Sequence, residues 1–160
     1  MAAAHFHEVY REHAPELVRF AQWLCGNRHD AEDLAAEAFV RAFAGADAIE
    51  VRTVKGYLLA IVRNLHLEQL RRRRPTVALE ADVESPADGP ATNAESAESA
   101  RRVTRALQRL GEPERSALLL RAEAQLGYEE IAAVLGLSVA NAKVKVHRAR
   151  LKLAKAMEAT

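Results

Sequence analysis

A single cysteine, Cys25, stands in the whole chain. One thiol excludes an internal disulfide and fits a reducing compartment. Aromatic residues make up only 5% of the sequence although 49% of it is hydrophobic. Ala and Leu supply much of that share, a bias toward helices set against helices. No apolar run approaches the length of a membrane span, and the first residues lack a signal-peptide core. The expectation is a cytoplasmic protein with no direct membrane insertion. Also missing are a nucleophile elbow, a glycine-rich phosphate loop and a spaced set of metal ligands. A hydrolase built on His5, His7, His13 and the acids of residues 30–37 therefore finds no support. No catalytic residue, metal site or cofactor is expected.

What is present is segregated charge. The net charge of +1 hides a strong division along the 160 residues. Residues 1–75 are nearly balanced, residues 76–99 carry six acids and no base, and residues 100–160 hold twelve Lys and Arg against six Asp and Glu. The acidic stretch has two prolines and neither a helical nor an alternating period. Such a segment cannot bury enough apolar surface to offset the entropy of ordering it, which predicts a flexible linker. The fold class expected is all-α. Two small helical domains, an N-terminal bundle over 1–75 and a C-terminal four-helix domain over 100–160, are joined by the linker 76–99.

Hydrophobic spacing places the helices. Phe6, Val9, Tyr10, His13, Leu17, Phe20, Ala21 and Leu24 mark one face of a first helix, which Pro15 is expected to kink or break. Gly26 and Asn27 form a turn, and Asp30 is read as the N-cap of a second helix carrying Ala31, Leu34, Ala35, Ala38, Ala42 and Phe43. Asp30, Glu32 and Asp33 crowd its first turn, as suits the positive end of a helix dipole. A third helix is expected from about Thr53 to Arg74, with Val54, Leu58, Ile61, Val62, Leu65 and Leu70 on its apolar side and Pro75 as its stop. Tyr57, Arg63, Asn64 and His66 on this helix can stack on bases or hydrogen-bond to them, as single-stranded DNA binding requires. A fourth helix is expected from about Ala100 to Gly111, and Pro113 opens a fifth.

The most informative stretch is Tyr128 to Lys155. Ile131, Val134 and Leu135 give a short helix one apolar face, Gly136 is a left-handed cap, and Ser138 can cap the next helix. Val139, Ala142, Val146, Ala149 and Leu153 then form a buried stripe. The other face carries Asn141, Lys143, Lys145, His147, Arg148, Arg150, Lys152 and Lys155 without an acid. Exposed helices gain from opposite-charge pairs, so a face of one sign calls for a polyanion. Helix, glycine turn and basic helix form the layout of a DNA-binding helix-turn-helix.

Three stretches in this order resemble the extracytoplasmic-function (ECF) sigma factors, members of the sigma-70 family of RNA polymerase subunits. DAEDLAAEAFVRAF at Asp30–Phe43 is similar to the family's polymerase-binding helix, with Ala36 where Gln is usual. GYLLAIVRNLHLEQLRRRR at Gly56–Arg74 resembles the promoter-melting helix, with Glu68 in place of Asp. LGYEEIAAVLGLSVANAKVKVHRAR at Leu126–Arg150 resembles the unit that reads the minus-thirty-five element, although its recognition helix opens Asn-Ala-Lys-Val-Lys rather than Thr-Val-Lys-Ser-Arg. The resemblance implies three sites. Asp30, Glu32, Asp33, Leu34, Glu37 and Phe39 would bind core RNA polymerase. Tyr57, Arg63, Asn64, Arg71 and Arg72 would take the minus-ten element as an opened strand. Asn141, Lys143, Val144, Lys145, His147, Arg148 and Arg150 would read minus-thirty-five DNA. Promoter DNA, core polymerase and an anti-sigma factor are the partners implied, and the acidic linker would mimic nucleic acid in the polymerase cleft. The alternative is a helix-turn-helix regulator that works without polymerase.

Overall fold

Apolar residues at steps of three and four dictate which side of each helix turns inward, and caps decide where each begins. A computed structural model describes residues 3–45, 53–73 and 93–158 of the chain. The connection 46–52, Arg74, Pro75 and the expected linker residues 76–92 lie outside the described residues. The described residues form α1 (Ala3–Cys25), α2 (Arg28–Ala44), α3 (Val54–Arg73), α4 (Ala94–Gln108), α5 (Glu112–Ala122), α6 (Tyr128–Leu135) and α7 (Val139–Glu158). No strand occurs among them.

The first three helices form one bundle. Helix α1 runs unbroken through Pro15. The φ that proline enforces is helical, and burial offsets the hydrogen bond it removes. Leu17, Phe20, Ala21 and Leu24 are fully buried, and Phe6 and Tyr10 meet α2 in an aromatic cluster. The Phe6 and Phe43 rings lie 4.6 Å apart edge-to-face, and Tyr10 and Phe39 lie 4.9 Å apart. The expected break at Pro15 therefore does not occur. The N-cap of α2 is Asn27 rather than Asp30: its side chain accepts the Asp30 N–H at 2.9 Å. Asp30 sits one turn inside, where its charge faces the helix dipole. Thr53 caps α3, its hydroxyl accepting the Gly56 N–H at 3.0 Å. The core side of α3 is Leu58, Leu59, Ala60, Ile61, Val62 and Leu65, whereas Val54 and Leu70, expected on that side, are exposed at its two ends.

The second bundle begins earlier than its periodicity suggests. Asn93 accepts the Ser96 N–H at 2.7 Å and starts α4 at Ala94, inside the expected linker. Pro113 falls in the first turn of α5. Gly136 closes α6 with φ 68°, a left-handed conformation that glycine adopts without a Cβ clash, and Ser138 accepts the Asn141 N–H at 3.1 Å to start α7. Ala142, Val146 and Ala149 are fully buried, but Val139 is partly out in solvent.

Candidate nucleic-acid interface

Helix α7 lies across α4, α5 and α6 with its buried stripe inward. That placement leaves Asn141, Lys143, Val144, His147, Arg148 and Arg150 exposed, with Lys145 half-buried beside them. No acidic residue interrupts this surface from Val139 to Met157. Lys143 Nζ stands 5.7 Å from the Tyr128 ring centroid, and the Arg121 guanidinium stands 4.6 Å from it. Cations over one aromatic ring tie the start of α7 to α6. Lys152 has a different role from its neighbours: its Nζ lies 3.0 and 2.8 Å from the two carboxylate oxygens of the largely buried Glu114. It fastens α7 to α5.

The candidate residues of α3 divide. Asn64, Arg71 and Arg72 are exposed, and Tyr57 is half-buried against the core. Arg63 is not on the open surface. Its Nε donates to Glu112 at 2.7 Å and its Nη2 donates to the other Glu112 oxygen at 3.0 Å. The two side chains are 12% and 10% exposed. Ser116 Oγ donates a third bond to Glu112 at 2.6 Å. Burial would raise the Glu112 pKa, but the bonds from Arg63 and Ser116 outweigh it and hold the carboxyl below its ordinary value. His66, on the same helix, is 3% exposed. Burial, reinforced by the Arg115 charge, pushes its pKa down to about 4.

Helix α2 presents Glu32, Asp33 and Glu37 to solvent with Asp30 half-buried. Each has a basic neighbour. Arg28 lies 3.3 Å from Glu32, His29 lies 3.4 Å from Asp33, Arg41 lies 3.4 Å from Glu37, and Arg73 lies 3.2 Å from Asp30. Such exposed pairs stabilise little and are readily exchanged. Leu34 and Phe39, expected among the contact residues, are core side chains at 2% and 1% exposure. They reach the surface only on the floors of two clefts. One, of about 330 Å³, lies between α2 and α3 under Asp33, Glu37 and Glu68; the other, of about 560 Å³, lies between α1 and α2 beside Tyr10, Pro15 and Glu32. Among the described residues no group of three or more His, Cys, Asp or Glu side chains could hold a metal ion, and no helix is long and apolar enough to cross a membrane.

Sequence reasoning missed the residues between the two bundles. Arg115 is 7% exposed, yet its guanidinium donates to Leu107 O at 2.9 Å, Leu24 O at 3.0 Å and Leu110 O at 2.9 Å. The Leu24 and Leu107 carbonyls lie in the last turns of α1 and α4, where helices run short of backbone donors, and the Leu110 carbonyl lies in the turn between α4 and α5. Gln108 Nε2 also donates to Leu24 O, at 3.1 Å. The only hint in the sequence is a charged residue set before an apolar run, which reads equally well as a solvated first turn.

Two family profiles match, sigma-70 region 2 over residues 9–76 and sigma-70 region 4 over residues 100–153. The chain is 36% identical to the ECF RNA polymerase sigma factor SigE of Mycolicibacterium smegmatis over 91% of its own length, and it spans 59% of that relative. It is 31% identical to the RNA polymerase sigma-E factor of Streptomyces avermitilis, covering 96% of this chain and 85% of the relative. A solved structure of the sigma factor RpoE of Bartonella quintana, in complex with the anti-sigma factor NepR, superposes with a TM-score of 0.78 at 27% identity and 96% coverage of both chains. The two region matches cover most of the chain, and relatives at 36% and 31% identity run along nearly its whole length: the chain belongs to the ECF sigma factors of the sigma-70 family.

Proposed function

We propose that this chain binds core RNA polymerase and directs transcription initiation at promoters carrying minus-ten and minus-thirty-five elements. The observation that carries this reading is the α7 surface, where six exposed candidates from Asn141 to Arg150 face solvent with no acid among them. In a helix-turn-helix the N-terminal half of the second helix meets base edges and later basic residues follow the phosphates. Asn141, Lys143, Val144 and His147 then read minus-thirty-five DNA, while Arg148 and Arg150 hold its backbone. Asn64 offers an amide donor and acceptor to an unpaired minus-ten base. Tyr57 supplies a ring edge, and Arg71 and Arg72 supply phosphate contacts. Asp33 and Glu37, with Glu32 and Asp30, steer α2 toward a basic surface of the polymerase. Binding free energy opens the duplex, so the chain acts without catalysis or a cofactor and works in the cytoplasm.

The same reading divides the chain near residues 75 and 99. Like the Bartonella relative, the chain takes an anti-sigma factor as its antagonist. A regulator acting without polymerase leaves the region 2 match and α2 without a role. Co-purification with core RNA polymerase followed by run-off transcription on genomic fragments tests the proposal. Specific transcripts that depend on the chain are expected. Absence of both co-elution and transcripts would end it.

A further inference from the structure

Lys143 leaves α7 at an exposed position, and no acid stands on that helix from Val139 to Met157 to orient it. A lysine is a point charge on a flexible stem, so ordering it on a base edge costs rotamer entropy. What Lys143 has beside it is a ring. Its Nζ stands 5.7 Å from the ring centroid of Tyr128, the first residue of α6. That is near the limit of about 6 Å for a cation–π attraction, close enough to bias the stem and too long to keep the ammonium from another partner. The ring itself is fixed. Tyr128 is half-buried and packs against the apolar core. The Arg121 guanidinium from α5 stands 4.6 Å from the same centroid, and its Nη1 donates to Leu126 O at 3.0 Å. That bond braces the turn 123–127, where Gln125 holds a left-handed φ of 59° that a residue with a Cβ keeps only under restraint. Arg121 is thus committed to the turn, and Lys143 is the exposed cation on this ring.

We propose that Tyr128 is a positioning residue for sequence reading. Its ring, set by Arg121, restricts the directions open to the Lys143 ammonium, so that Lys143 meets its base pair already oriented. Preorganisation of this kind lowers the ordering cost of binding. The inference rests on the assignment of α7 to minus-thirty-five DNA made above. It adds a specificity determinant that lies on α6 and not on the reading helix.

The test uses the full chain assembled with core RNA polymerase and a promoter pool randomised at the minus-thirty-five element, bound at two salt concentrations. Tyr128→Leu removes the ring and keeps apolar bulk, Tyr128→Met repeats the deletion with a more adaptable side chain, and Tyr128→Phe keeps the ring. Circular dichroism and melting midpoints show which variants are folded. The ring-free variants are expected to lose about threefold in preference at the one base pair whose preference Lys143→Ala relaxes. The salt slope and the other positions should not change. Tyr128→Phe should read like the parent, and Tyr128→Leu should add nothing in a Lys143→Ala background. Unchanged preference in a folded ring-free variant overturns the proposal. So does a loss spread evenly over all positions, as a merely structural residue would give, or a loss that persists without Lys143. A loss in Tyr128→Phe equal to that in Tyr128→Leu would place the effect on the hydroxyl and overturn it as well. Failure of the underlying reading looks different: the parent assembly would then select no sequence from the pool.

Discussion

His66 shows how one side chain can carry the acid sensitivity of the fold. It is buried on α3, neither ring nitrogen has a protein hydrogen-bond partner, and its pKa falls from 6.5 to about 4. Burial is the main cause, the Arg115, Arg63 and Arg73 charges add to it, and Glu112 opposes it. Below pH 6.5 the unfolded chain takes up a proton that the folded chain refuses, so stability is lost as pH falls through about 4. At about 1.4 kcal/mol per pKa unit the loss is of order 3 kcal/mol. Denaturant unfolding at pH 7 and at pH 4 is expected to show a smaller acid loss for His66→Leu than for the parent; equal losses would remove His66 as the cause. Cys25 is the opposite case. Burial pushes its thiol from 9.0 up to about 11, and its S–H donates to Asn27 O at 3.3 Å. The thiolate is the reactive form, so alkylation of the folded chain at neutral pH should be roughly a hundredfold slower than that of an ordinary thiol. A pH–rate profile rising near pH 9 or below would show Cys25 to be an activated thiol instead.

Helices were legible wherever a face repeats, and their ends were legible only where the capping side chain had no rival. Gly136, Ser138 and Pro113 each act at the position their chemistry implies. Asp30 lost its capping role because Asn27 stands one turn earlier with an equally good acceptor. Helix α4 was begun too late because Asn93 and Glu95 read as more of the acidic stretch. On α7 exposure agrees with the proposed roles, and two substitutions separate them. Lys143→Ala should change the preferred minus-thirty-five sequence at one position, at about 1–3 kcal/mol. Arg150→Ala should weaken all sequences alike and lower the salt slope by about one. Binding to a randomised promoter pool at two salt concentrations decides it, and the reverse pattern would mean that the register of α7 is misassigned. On α2, reversing Asp33 and Glu37 to Lys inverts two exposed charges, one of them beside Arg41, at the surface proposed for docking. Affinity for core polymerase should fall while helix content holds. Unchanged affinity would count against α2 as the docking helix.

At the scale of the whole molecule the two bundles were legible but their junction was not. Periodicity reports contacts within a turn or two, whereas Arg63 meets Glu112 across 49 residues and Arg115 meets Leu24 across 91. Neither pairing leaves a trace in local spacing. Arg115 makes the junction a single thermodynamic object, because one buried cation holds carbonyls from α1, from α4 and from the turn before α5. Burial lowers its pKa, and the Glu112 charge opposes that shift. Its substitution by Met keeps most of the apolar stem but removes the guanidinium from three carbonyls, leaving Leu24 O with Gln108 and Leu107 O with the Leu110 N–H as their remaining donors. Breaking a buried charged network of this kind costs about 3–5 kcal/mol. In a chain of this size each kcal/mol moves the melting midpoint by about 2–4 °C. Arg115→Met is therefore expected to lower the midpoint by roughly 10 °C and to resolve one cooperative transition into two, as the junction loosens while the helix packing within each bundle remains. Calorimetry on parent and variant measures both effects. A single transition within about a degree of the parent would show that the apolar contacts of α1 with α4 and α5 couple the bundles, and that the arginine does not.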